Sequence, residues 1–385
     1  MPPPPAKPLR LLVVLPSWVG DAVMATPALR RLRHALPGAF VGALARPGID
    51  QLLSGLDLFD EIHVEARAGV MGPKHAAAKL RPRRYDTALL LTNSFSTALT
   101  ARVAGIPRRI GYDRDARRLL LTDPVPAPKT NSGEWAITPA VNYYWSLVSV
   151  LADDEPPPPS PDQPLTNTHA PLVLPPDVYM ELAVTDDDRA ASDAILARAG
   201  LAPGVPYAIL NPGANNPAKR WPADRFATLA DHLARAHDLR VLINGSPAER
   251  ELCAHIAATA QSDPVALPDL GGTLASLKGL LADARLLVTN DTGPRHIGAA
   301  LGVPVVSLFG PTDPRWTTIP VRPISTGAPG EIILVADPTL APSESANDHP
   351  ARCAIERISL DSVLEACDRL LAQTSPSSAS QRTPG

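Results

Sequence analysis

Residues 11–36 read LLVVLPSWVGDAVMATPALRRLRHAL, and this stretch predicts the fold of the chain. The apolar run 11–15 has the length and character of a buried strand. Residues 16–20 predict a turn, and Asp21 opens a predicted helix that continues to about Leu36 with apolar residues on one face. A buried strand, a turn and an amphipathic helix in succession are typical of parallel β-α-β units.

The same alternation returns along the chain and predicts an α/β fold with two similar domains. Further strands are predicted at 40–44, 61–64, 87–91, 109–111, 207–210, 240–243, 285–289 and 303–309. Helices are predicted near 49–53, 94–104, 186–199, 222–236, 248–258, 273–282, 295–301 and 359–372.

The proline-rich segment 153–176 predicts a connector between these domains, because it has almost no hydrophobic periodicity. We expect an N-terminal domain over 9–172, a C-terminal domain over 173–345 and a C-terminal helical region over 346–373. Residues 1–8 and 374–385 have too few apolar side chains to offset the entropy of ordering, so we expect disordered tails there.

Composition and charge exclude several classes of protein. Lys and Arg total 36 and Asp and Glu total 39, so the net charge of −3 does not indicate nucleic acid as the main partner. Three cysteines without a C-x-x-C pair indicate neither a disulfide framework nor a structural zinc site. No apolar run approaches about 20 residues, so we expect no transmembrane segment and a cytoplasmic protein.

The first candidate site is the turn PSWVGD at 16–21. Gly20 permits a tight turn, and Asp21 follows a predicted strand at the edge where open α/β sheets bind ligands. A carboxylate there can accept the proton of an attacking hydroxyl as a general base. The alternative is an acid that only caps the helix dipole.

The second candidate site follows the predicted strand 207–210. Gly213 and Ala214 form a turn, and Lys219 lies on the loop before the next predicted helix. An ammonium group, backbone N–H groups and a helix N-terminus together favour a diphosphate. A solvated surface loop remains the alternative.

The third candidate site is NDTGPRH at 290–296, again between a strand and a helix. Gly293 allows a turn whose N–H groups face a ligand, with Thr292 before it and His296 on the first helical turn. Asp291 would repel a diphosphate, so we expect it to bind sugar hydroxyls or to hold Lys219 or His296. An Asx-turn with a helix cap is the alternative.

Other polar residues are weaker candidates. Glu249 follows the predicted strand 240–243 and could accept hydrogen bonds from ribose hydroxyls. Asp113 and Asp115 have D-x-D spacing but lie in an arginine-rich loop, so we predict no metal site there. The arginines at 81–84 and 114–118 are interpreted as solvated faces that could also meet an anionic acceptor. Five other histidines show no ligand spacing and are interpreted as ordinary surface or core residues: His75, His169, His232, His237 and His255.

Several blocks, in order along the chain, resemble the ADP-heptose:lipopolysaccharide heptosyltransferases, which form glycosyltransferase family 9. The similarity is greatest to the heptosyltransferase II branch and extends from about residue 10 to about residue 370. The blocks are LPSWVGD (15–21), NSF (93–95), AGIP (104–107), PGA (212–214), AKRWP (218–222), DTGPRH (291–296) and FGPTD (309–313).

The resemblance implies a GT-B fold with two Rossmann-like domains facing a central cleft. It implies inverting, metal-independent transfer of heptose from ADP-L-glycero-D-manno-heptose to the lipopolysaccharide inner core, without a cofactor, by a protein peripheral to the inner face of the inner membrane. Asp21 then corresponds to the catalytic base and Lys219 to the cation on the donor diphosphate. The implied donor-binding residues are Gly20, Gly213, Ala214, Lys219, Glu249, Asp291, Thr292, Gly293 and His296.

Three alternatives remain open from the sequence. A related GT-B enzyme could use another nucleotide sugar or another cell-surface glycan. A nucleotide-sugar binding protein without catalysis would carry many of the same residues. A dinucleotide oxidoreductase is disfavoured because the chain lacks the G-x-G-x-x-G fingerprint.

Overall fold

The structure is a computed structural model of the chain and describes residues 8–67, 69, 71–130, 133–152, 165–324 and 327–374. The predicted disordered tails fall outside these residues except for Pro8 and Thr374, and Thr374 is the last residue of the final helix. Much of the predicted connector, 153–164, also lies outside the described residues.

The first half of the described chain forms a six-stranded parallel sheet. Its strands are β1 (Arg10–Val14), β2 (Phe40–Ala45), β3 (Glu61–Val64), β4 (Thr87–Leu90), β5 (Arg108–Tyr112) and β6 (Asp123–Val125). Their spatial order is β3-β2-β1-β4-β5-β6, with β1 paired to both β2 and β4. Both faces of β1 are covered, which explains its continuous apolar sequence.

The second half repeats this topology in a second parallel sheet. Its strands are β7 (Tyr207–Asn211), β8 (Arg240–Ile243), β9 (Val265–Ala266), β10 (Leu286–Asn290), β11 (Val305–Phe309) and β12 (Glu331–Val335). The order is β12-β11-β10-β7-β8-β9, so β7 has the central place that β1 has in the first sheet. Each sheet therefore has a switch point, where the strand order reverses and ligands bind in open α/β folds.

Helices connect the strands in both halves. The first half contains α1 (Val19–Met24), α2 (Thr26–Ala35), α3 (Ile49–Leu52), α4 (Gly72–Leu80), α5 (Phe95–Val103) and α6 (Ala140–Ala152). The second contains α7 (Asp186–Arg198), α8 (Ala223–His237), α9 (Arg250–Thr259), α10 (Leu274–Ala282), α11 (Gly293–Leu301) and α12 (Leu360–Thr374). Every strand and helix that we predicted is confirmed, with small differences at the ends, except the first helix.

The predicted single helix after β1 is wrong, because the structure has two helices, α1 and α2, that meet at Ala25. Pro27 lies in the first turn of α2 and has no N–H to donate to the carbonyl of Val23. The hydroxyl of Thr26 donates to that carbonyl instead, at 2.7 Å. α1 also begins before Asp21, so Gly20 is helical and does not form the predicted turn.

The chain divides into two compact units. The first unit contains the chain up to Ala183 together with Arg315–Pro320. The second unit contains Val184–Pro314 and the chain from Val321 onward. The short return segment 315–320 is fixed in the first unit, where the hydroxyl of Thr318 accepts a hydrogen bond from the backbone N–H of Ala170 at 3.0 Å. The sequence carried no signal for this return.

Candidate functional site

The carboxyl ends of β7, β8 and β10 bring three loops together in the second unit. The side-chain amide of Asn244, after β8, donates to Asn211 Oδ1 at 2.7 Å. Asn211, at the end of β7, donates through Nδ2 to Thr292 Oγ1, after β10, at 3.1 Å. These amides fix the loops at the switch point, where we expected the second and third candidate sites.

Lys219 and Asp291 form an ion pair at this edge of the sheet. Lys219 Nζ lies 2.9 Å from Asp291 Oδ2, and Thr312 donates to the same oxygen at 3.3 Å. The side chains of Lys219 and Asp291 are 23% and 10% exposed. Burial acts to raise the pKa of Asp291, but the nearby positive charges of Lys219 and Arg295 outweigh it and lower the pKa below its usual value. The carboxylate therefore stays charged and holds the ammonium group.

The two residues after Lys219 fix the loop that carries it. Arg220 donates through Nε and Nη2 to the carbonyl of Ala214, at 2.9 and 2.7 Å. Trp221 is 1% exposed and donates through Nε1 to the carbonyl of Ile358 at 2.9 Å. Arg220 and Trp221 thus fix the loop, and the side chain of Lys219 reaches from it to Asp291. Residues 215–218 of the loop are exposed, whereas Lys219 and Arg220 are half-buried and Trp221 is buried.

The N-terminus of α11 lies beside the ion pair in sequence. Thr292 is the N-cap in an extended conformation, Gly293 is the first helical residue and Pro294 follows it. His296, on the first turn, is 3% exposed, and its Nδ1 has no hydrogen-bond partner among the described residues. Burial and the charge of Arg295 lower the pKa of His296 to about 3, so the imidazole is neutral at physiological pH.

A buried ion pair fixes α11 in place. Arg295 Nε lies 2.6 Å from Glu331 Oε1 on β12, with both side chains nearly inaccessible to solvent. Ser307 on β11 donates to the same oxygen at 2.5 Å. A shift of α11 would separate Arg295 from Glu331 and leave both charges buried without a partner. The pair therefore restricts α11 to one position.

Glu249 and Gly213 join the loops after β7 and β8. Glu249 Oε2 accepts hydrogen bonds from the backbone N–H and the hydroxyl of Ser246, each at 2.8 Å. A Cβ at position 213 would lie 2.1 Å from Glu249 Oε1, so a glycine is needed for the carboxylate to lie against this loop. The structure therefore places an acceptor group next to the Gly213–Ala214 turn, on the side away from β10.

The second unit therefore combines three binding features at one sheet edge. It has a paired ammonium group, a helix N-terminus next to a neutral buried histidine, and a carboxylate against a glycine turn. A ligand that bears a diphosphate and vicinal hydroxyls matches these groups, because cations and N–H groups bind phosphate and carboxylates accept from hydroxyls.

Asp21 lies on α1, just after β1, in the first unit. Tyr144 on α6 donates a hydrogen bond from its hydroxyl to Asp21 Oδ1 at 3.2 Å. Burial, and then the charge of Asp21, raise the pKa of the Tyr144 hydroxyl well above its usual value, so this group remains a donor. The contact gives the carboxylate a fixed direction, and Gly20 lies beside it in the same helix.

Asp21 lines a pocket of about 1120 Å³ in the first unit. The pocket is formed by the carboxyl ends of β1, β2 and β4, by residues after β3, and by Tyr143 and Tyr144 of α6. Its polar and aromatic lining includes Arg46, Arg67, Arg114, Trp18, Trp135 and Trp316. Arg114 lies over the ring of Trp135, at 4.3 Å from its centroid. Asp21, Glu65 and Asp115 line the pocket as well, so it offers three carboxylates beside the three arginines. Arginines, carboxylates and exposed aromatic rings together suit a carbohydrate.

The interpretation of the 114–118 arginines as a solvated face is wrong for Arg117. Arg117 is fully buried, and it donates to the carbonyls of Tyr112 and Thr92 and to Asn93 Oδ1. Burial lowers the pKa of Arg117 to about 10, so the guanidinium still carries its charge at neutral pH. Its role is to hold the 92–93 corner of the pocket.

The D-x-D aspartates each lie near an arginine. Asp113 lies 2.6 Å from Arg118, and Asp115 lies 3.7 Å from Arg114. These ion pairs are the contacts that the structure gives for the two carboxylates.

Sequence reasoning missed two residues of the first-unit site, Tyr144 and Arg117. Tyr144 belongs to α6, which we did not predict because its sequence, AVNYYWSLVSVLA, is apolar almost all around. Arg117 looked like one member of a charge run. The interpretation of His232 and His237 as ordinary histidines is also incomplete, since both contact Asp368.

Two parallel six-stranded sheets, each with its polar groups at the carboxyl ends, define the class of protein. This is the fold of the GT-B glycosyltransferases, as the sequence predicted. The solved structure of ADP-heptose lipopolysaccharide heptosyltransferase II from E. coli matches with a TM-score of 0.72 and 27% identity, over 96% of this chain and 100% of that one. A glycosyltransferase family 9 structure from Veillonella parvula matches with a TM-score of 0.73 at 21% identity, over 94% and 97% of the two chains.

The sequence comparisons give the family. The model for glycosyltransferase family 9 (heptosyltransferase) matches residues 75–329, and the chain belongs to this family. Lipopolysaccharide heptosyltransferase 2 of Salmonella typhimurium is 31% identical over 322 residues, which cover 80% of this chain and 85% of the relative. The enzyme of the same name from Escherichia coli K12 matches to the same extent. The family predicted from the sequence is thus confirmed.

No helix in the described part of the chain combines the length and the apolar character that crossing a bilayer requires.

Proposed function

We propose that this protein is an inverting glycosyltransferase that moves heptose from ADP-L-glycero-D-manno-heptose to the lipopolysaccharide inner core, as a heptosyltransferase II. The observation that carries the proposal is the Lys219–Asp291 ion pair beside the N-terminus of α11. The names of the relatives, lipopolysaccharide heptosyltransferase 2, support the choice of donor sugar and acceptor.

The second unit binds the donor in this proposal. Lys219 binds the diphosphate together with the N–H groups at Thr292 and Gly293. The turn at Gly213 and Ala214 lets the donor approach the backbone closely, and Glu249 accepts hydrogen bonds from the ribose hydroxyls. The Nδ1 atom of His296 supplies one further polar contact to the donor.

The first unit binds the acceptor and activates it. An acceptor hydroxyl lies against Asp21, which takes its proton as the oxygen attacks the anomeric carbon. The new bond forms on the face opposite the diphosphate while the bond from the anomeric carbon to the phosphate oxygen breaks. ADP leaves with the bonding electron pair, and the configuration at the anomeric carbon inverts.

Lys219 and the α11 dipole stabilise the negative charge that develops on the leaving diphosphate. Because they supply positive charge where other sugar transferases use a divalent ion, the reaction needs no metal. Asp291 keeps Lys219 in position before the donor arrives, and the diphosphate then shares the ammonium group with it.

The arginines of the first-unit pocket supply cations that the anionic groups of the acceptor can bind. Arg46, Arg67 and Arg114 face a space large enough for several sugar residues, and Trp18 is 66% exposed at its border. The inner core of lipopolysaccharide is anionic, so we place it in this pocket. The protein then meets its acceptor as a peripheral protein at the inner face of the inner membrane.

A nucleotide panel with unfolding as the readout tests the donor assignment. ADP and ADP-heptose are expected to raise the unfolding temperature, whereas UDP, GDP and NAD leave it unchanged. Protection by UDP or GDP would show that the donor is another nucleotide sugar, and protection by NAD would contradict the proposal. Formation of a heptosylated inner core from ADP-heptose, followed by mass spectrometry, separates an enzyme from a binding protein.

Two variants separate a donor-binding role of Lys219 from a structural one. Lys219→Met leaves Asp291 buried and unpaired, so it lowers both stability and ADP affinity. The double variant Lys219→Met/Asp291→Asn removes both charges and is expected to regain stability while ADP affinity stays at least 10-fold below that of the wild type. Recovery of ADP affinity in the double variant would show that Lys219 acts only through its ion pair.

A further inference from the structure

His232, His237 and Asp368 meet on the surface of the second unit. His232 and His237 belong to the C-terminal part of α8, and Asp368 belongs to α12. The Nε2 atoms of the two histidines lie 2.7 and 2.6 Å from the same oxygen, Asp368 Oδ1. In the part of the chain that the structure describes, this is the one group of three potential metal ligands whose ligand atoms all lie within 4.8 Å of one another.

We propose that these three residues form a binding site for a divalent transition metal, Zn²⁺ in the first place. Imidazole nitrogen and carboxylate oxygen are ligands that Zn²⁺ prefers, and three protein ligands leave one position for water. Tetrahedral Zn²⁺ at about 2.0–2.1 Å from each ligand requires ligand atoms roughly 3.3 Å apart. The two observed nitrogen–oxygen distances, 2.7 and 2.6 Å, are shorter than this value by less than 1 Å.

Metal binding would replace the contacts that the three side chains make now. Each Nε2 atom within hydrogen-bond distance of Asp368 Oδ1 carries a hydrogen that points at that oxygen. With Zn²⁺ bound, the cation takes the place of these hydrogens, and each ring presents an Nε2 lone pair while Nδ1 carries the proton. One carboxylate oxygen and two ring nitrogens then bind one ion.

Burial and neighbouring groups permit such a site. The three side chains are 24%, 23% and 47% exposed, in the order His232, His237 and Asp368, so an ion and a water molecule can reach them from solvent. Cys367, the residue before Asp368, is fully buried in the core and is therefore not a ligand.

The position of the cluster in the fold separates it from sugar transfer. α8 runs from the carboxyl edge of the sheet, near Lys219, toward the start of β8, and His237 is its last residue. A helix of 15 residues is about 22 Å long. The metal would therefore cross-link α8 to the C-terminal helix α12 at the opposite edge of the sheet, and we expect it to stabilise the second unit without changing the transfer reaction.

The sequence conceals this site for a physical reason. His232 and His237 are five residues apart, which corresponds to about 140° around an ideal helix, whereas ligands on one helix face are three or four apart. The second histidine reaches the carboxylate because it ends α8, just before Asp238 in the left-handed conformation.

The test uses the full chain after dialysis against EDTA, with Zn²⁺ measured by calorimetry and Co²⁺ by visible absorption. We expect one equivalent of Zn²⁺ to bind with micromolar or tighter affinity and to raise the unfolding temperature by about 2 °C or more. Co²⁺ is expected to give the visible bands of a four-coordinate ion. Asp368→Asn and His237→Gln should each weaken Zn²⁺ binding at least 10-fold.

His255→Gln is the matched control, because His255 is an exposed histidine of the same unit that lies 3.5 Å from Asp224. This variant should bind Zn²⁺ as the wild type does. Unfolding without metal shows whether Asp368→Asn or His237→Gln is folded, and His232→Gln replaces either one that is not. Failure of the wild type to bind one equivalent, or equal binding by His237→Gln and the wild type, would overturn the proposal, and the three side chains would then only hold the two helices together by hydrogen bonds.

Discussion

Asp21 receives its direction from a residue that lies 123 positions away in the chain. The hydroxyl of Tyr144, buried in α6, donates to Asp21 Oδ1 and so restricts the rotation of the carboxylate. A general base works only when it lies within hydrogen-bond reach of the proton that it accepts, so its orientation matters as much as its identity. Tyr144 is therefore a positioning residue in the proposed mechanism.

Tyr144→Phe removes this hydrogen bond and keeps the ring. We expect kcat for heptose transfer to fall roughly 5- to 20-fold while ADP affinity stays unchanged, because the proposed donor site lies in the second unit. Tyr85→Phe is the matched control, since Tyr85 is also buried and its hydroxyl lies 2.7 Å from His63. Equal loss of kcat in both variants would show that Tyr144 only stabilises the first unit.

His296 makes the stability of the second unit depend on pH. The unfolded chain binds a proton at His296 near pH 6.5, whereas the folded chain does so near pH 3. Between these values the unfolded state holds more protons, so the free energy of unfolding falls as the pH is lowered, by up to about 1.4 kcal/mol per pH unit. The contribution that the neutral His296 makes to the free energy of unfolding is fully present above pH 6.5 and is lost progressively below it.

Urea unfolding of His296→Gln between pH 7 and pH 4 checks this prediction. The variant should show a shallower dependence on pH than the wild type, whatever its absolute stability. His255→Gln, which removes an exposed histidine, should keep the wild-type slope. A slope in His296→Gln as steep as that of the wild type would contradict the burial of a neutral imidazole at this position.

At the scale of elements, a buried ion pair joins α7 and α10. Lys278 Nζ lies 2.8 Å from Asp188 Oδ2, with side chains 0% and 2% exposed. Asp188 also accepts hydrogen bonds from the backbone N–H and hydroxyl of Thr185, both at 2.9 Å, so the same carboxylate caps α7. One carboxylate therefore fixes both the start of α7 and its contact with α10.

Lys278→Met is expected to lower the free energy of unfolding by about 3–5 kcal/mol, because it leaves Asp188 buried without its cation. Arg189→Met is the matched control: Arg189 on α7 and Asp283, the residue after α10, form an exposed pair at 3.8 Å, and its loss should cost less than about 1 kcal/mol. Chemical denaturation of both variants gives the comparison. Similar losses in the two would contradict the distinction between buried and exposed pairs.

The elements that the sequence predicts are those with a clear hydrophobic period or a clear turn. β1 and the α8 helix have such patterns, and the structure confirms both. α6 was missed because apolar residues surround it, and the break between α1 and α2 was missed because the apolar spacing continues across Pro27. Local sequence patterns do not predict contacts that tertiary packing creates, and the hydrogen bond from Tyr144 to Asp21 is such a contact.

The residues of the candidate site also fall into those that the sequence predicts and those that it does not. Asp291 and Gly293 follow β10 and Lys219 lies on the loop after β7, so their sequence context was enough to single them out. Arg117 was hidden, because a run of arginines has the same appearance in sequence whether its members are solvated or one of them is buried. Only the packing around Thr92 distinguishes the two cases.

At the scale of the whole molecule, each unit has one parallel sheet with a switch point and one group of polar residues there. In the proposed mechanism, the cationic and carboxylate groups of the second unit bind the nucleotide sugar, and the oriented carboxylate of the first unit activates the acceptor. This division assigns donor binding and acceptor activation to different units. It predicts that the two can be separated by substitution.

The transfer rate of Asp21→Asn, measured in a single turnover together with its affinity for ADP, tests this account most directly. Asparagine keeps the shape of the side chain but cannot take a proton, so transfer of heptose should fall by roughly 10²- to 10⁴-fold while ADP binds as to the wild type. Asp113→Asn, which changes an acid of the same unit that pairs with Arg118, should retain the wild-type rate. Transfer by Asp21→Asn within 10-fold of the wild-type rate would contradict the role of Asp21 as the base.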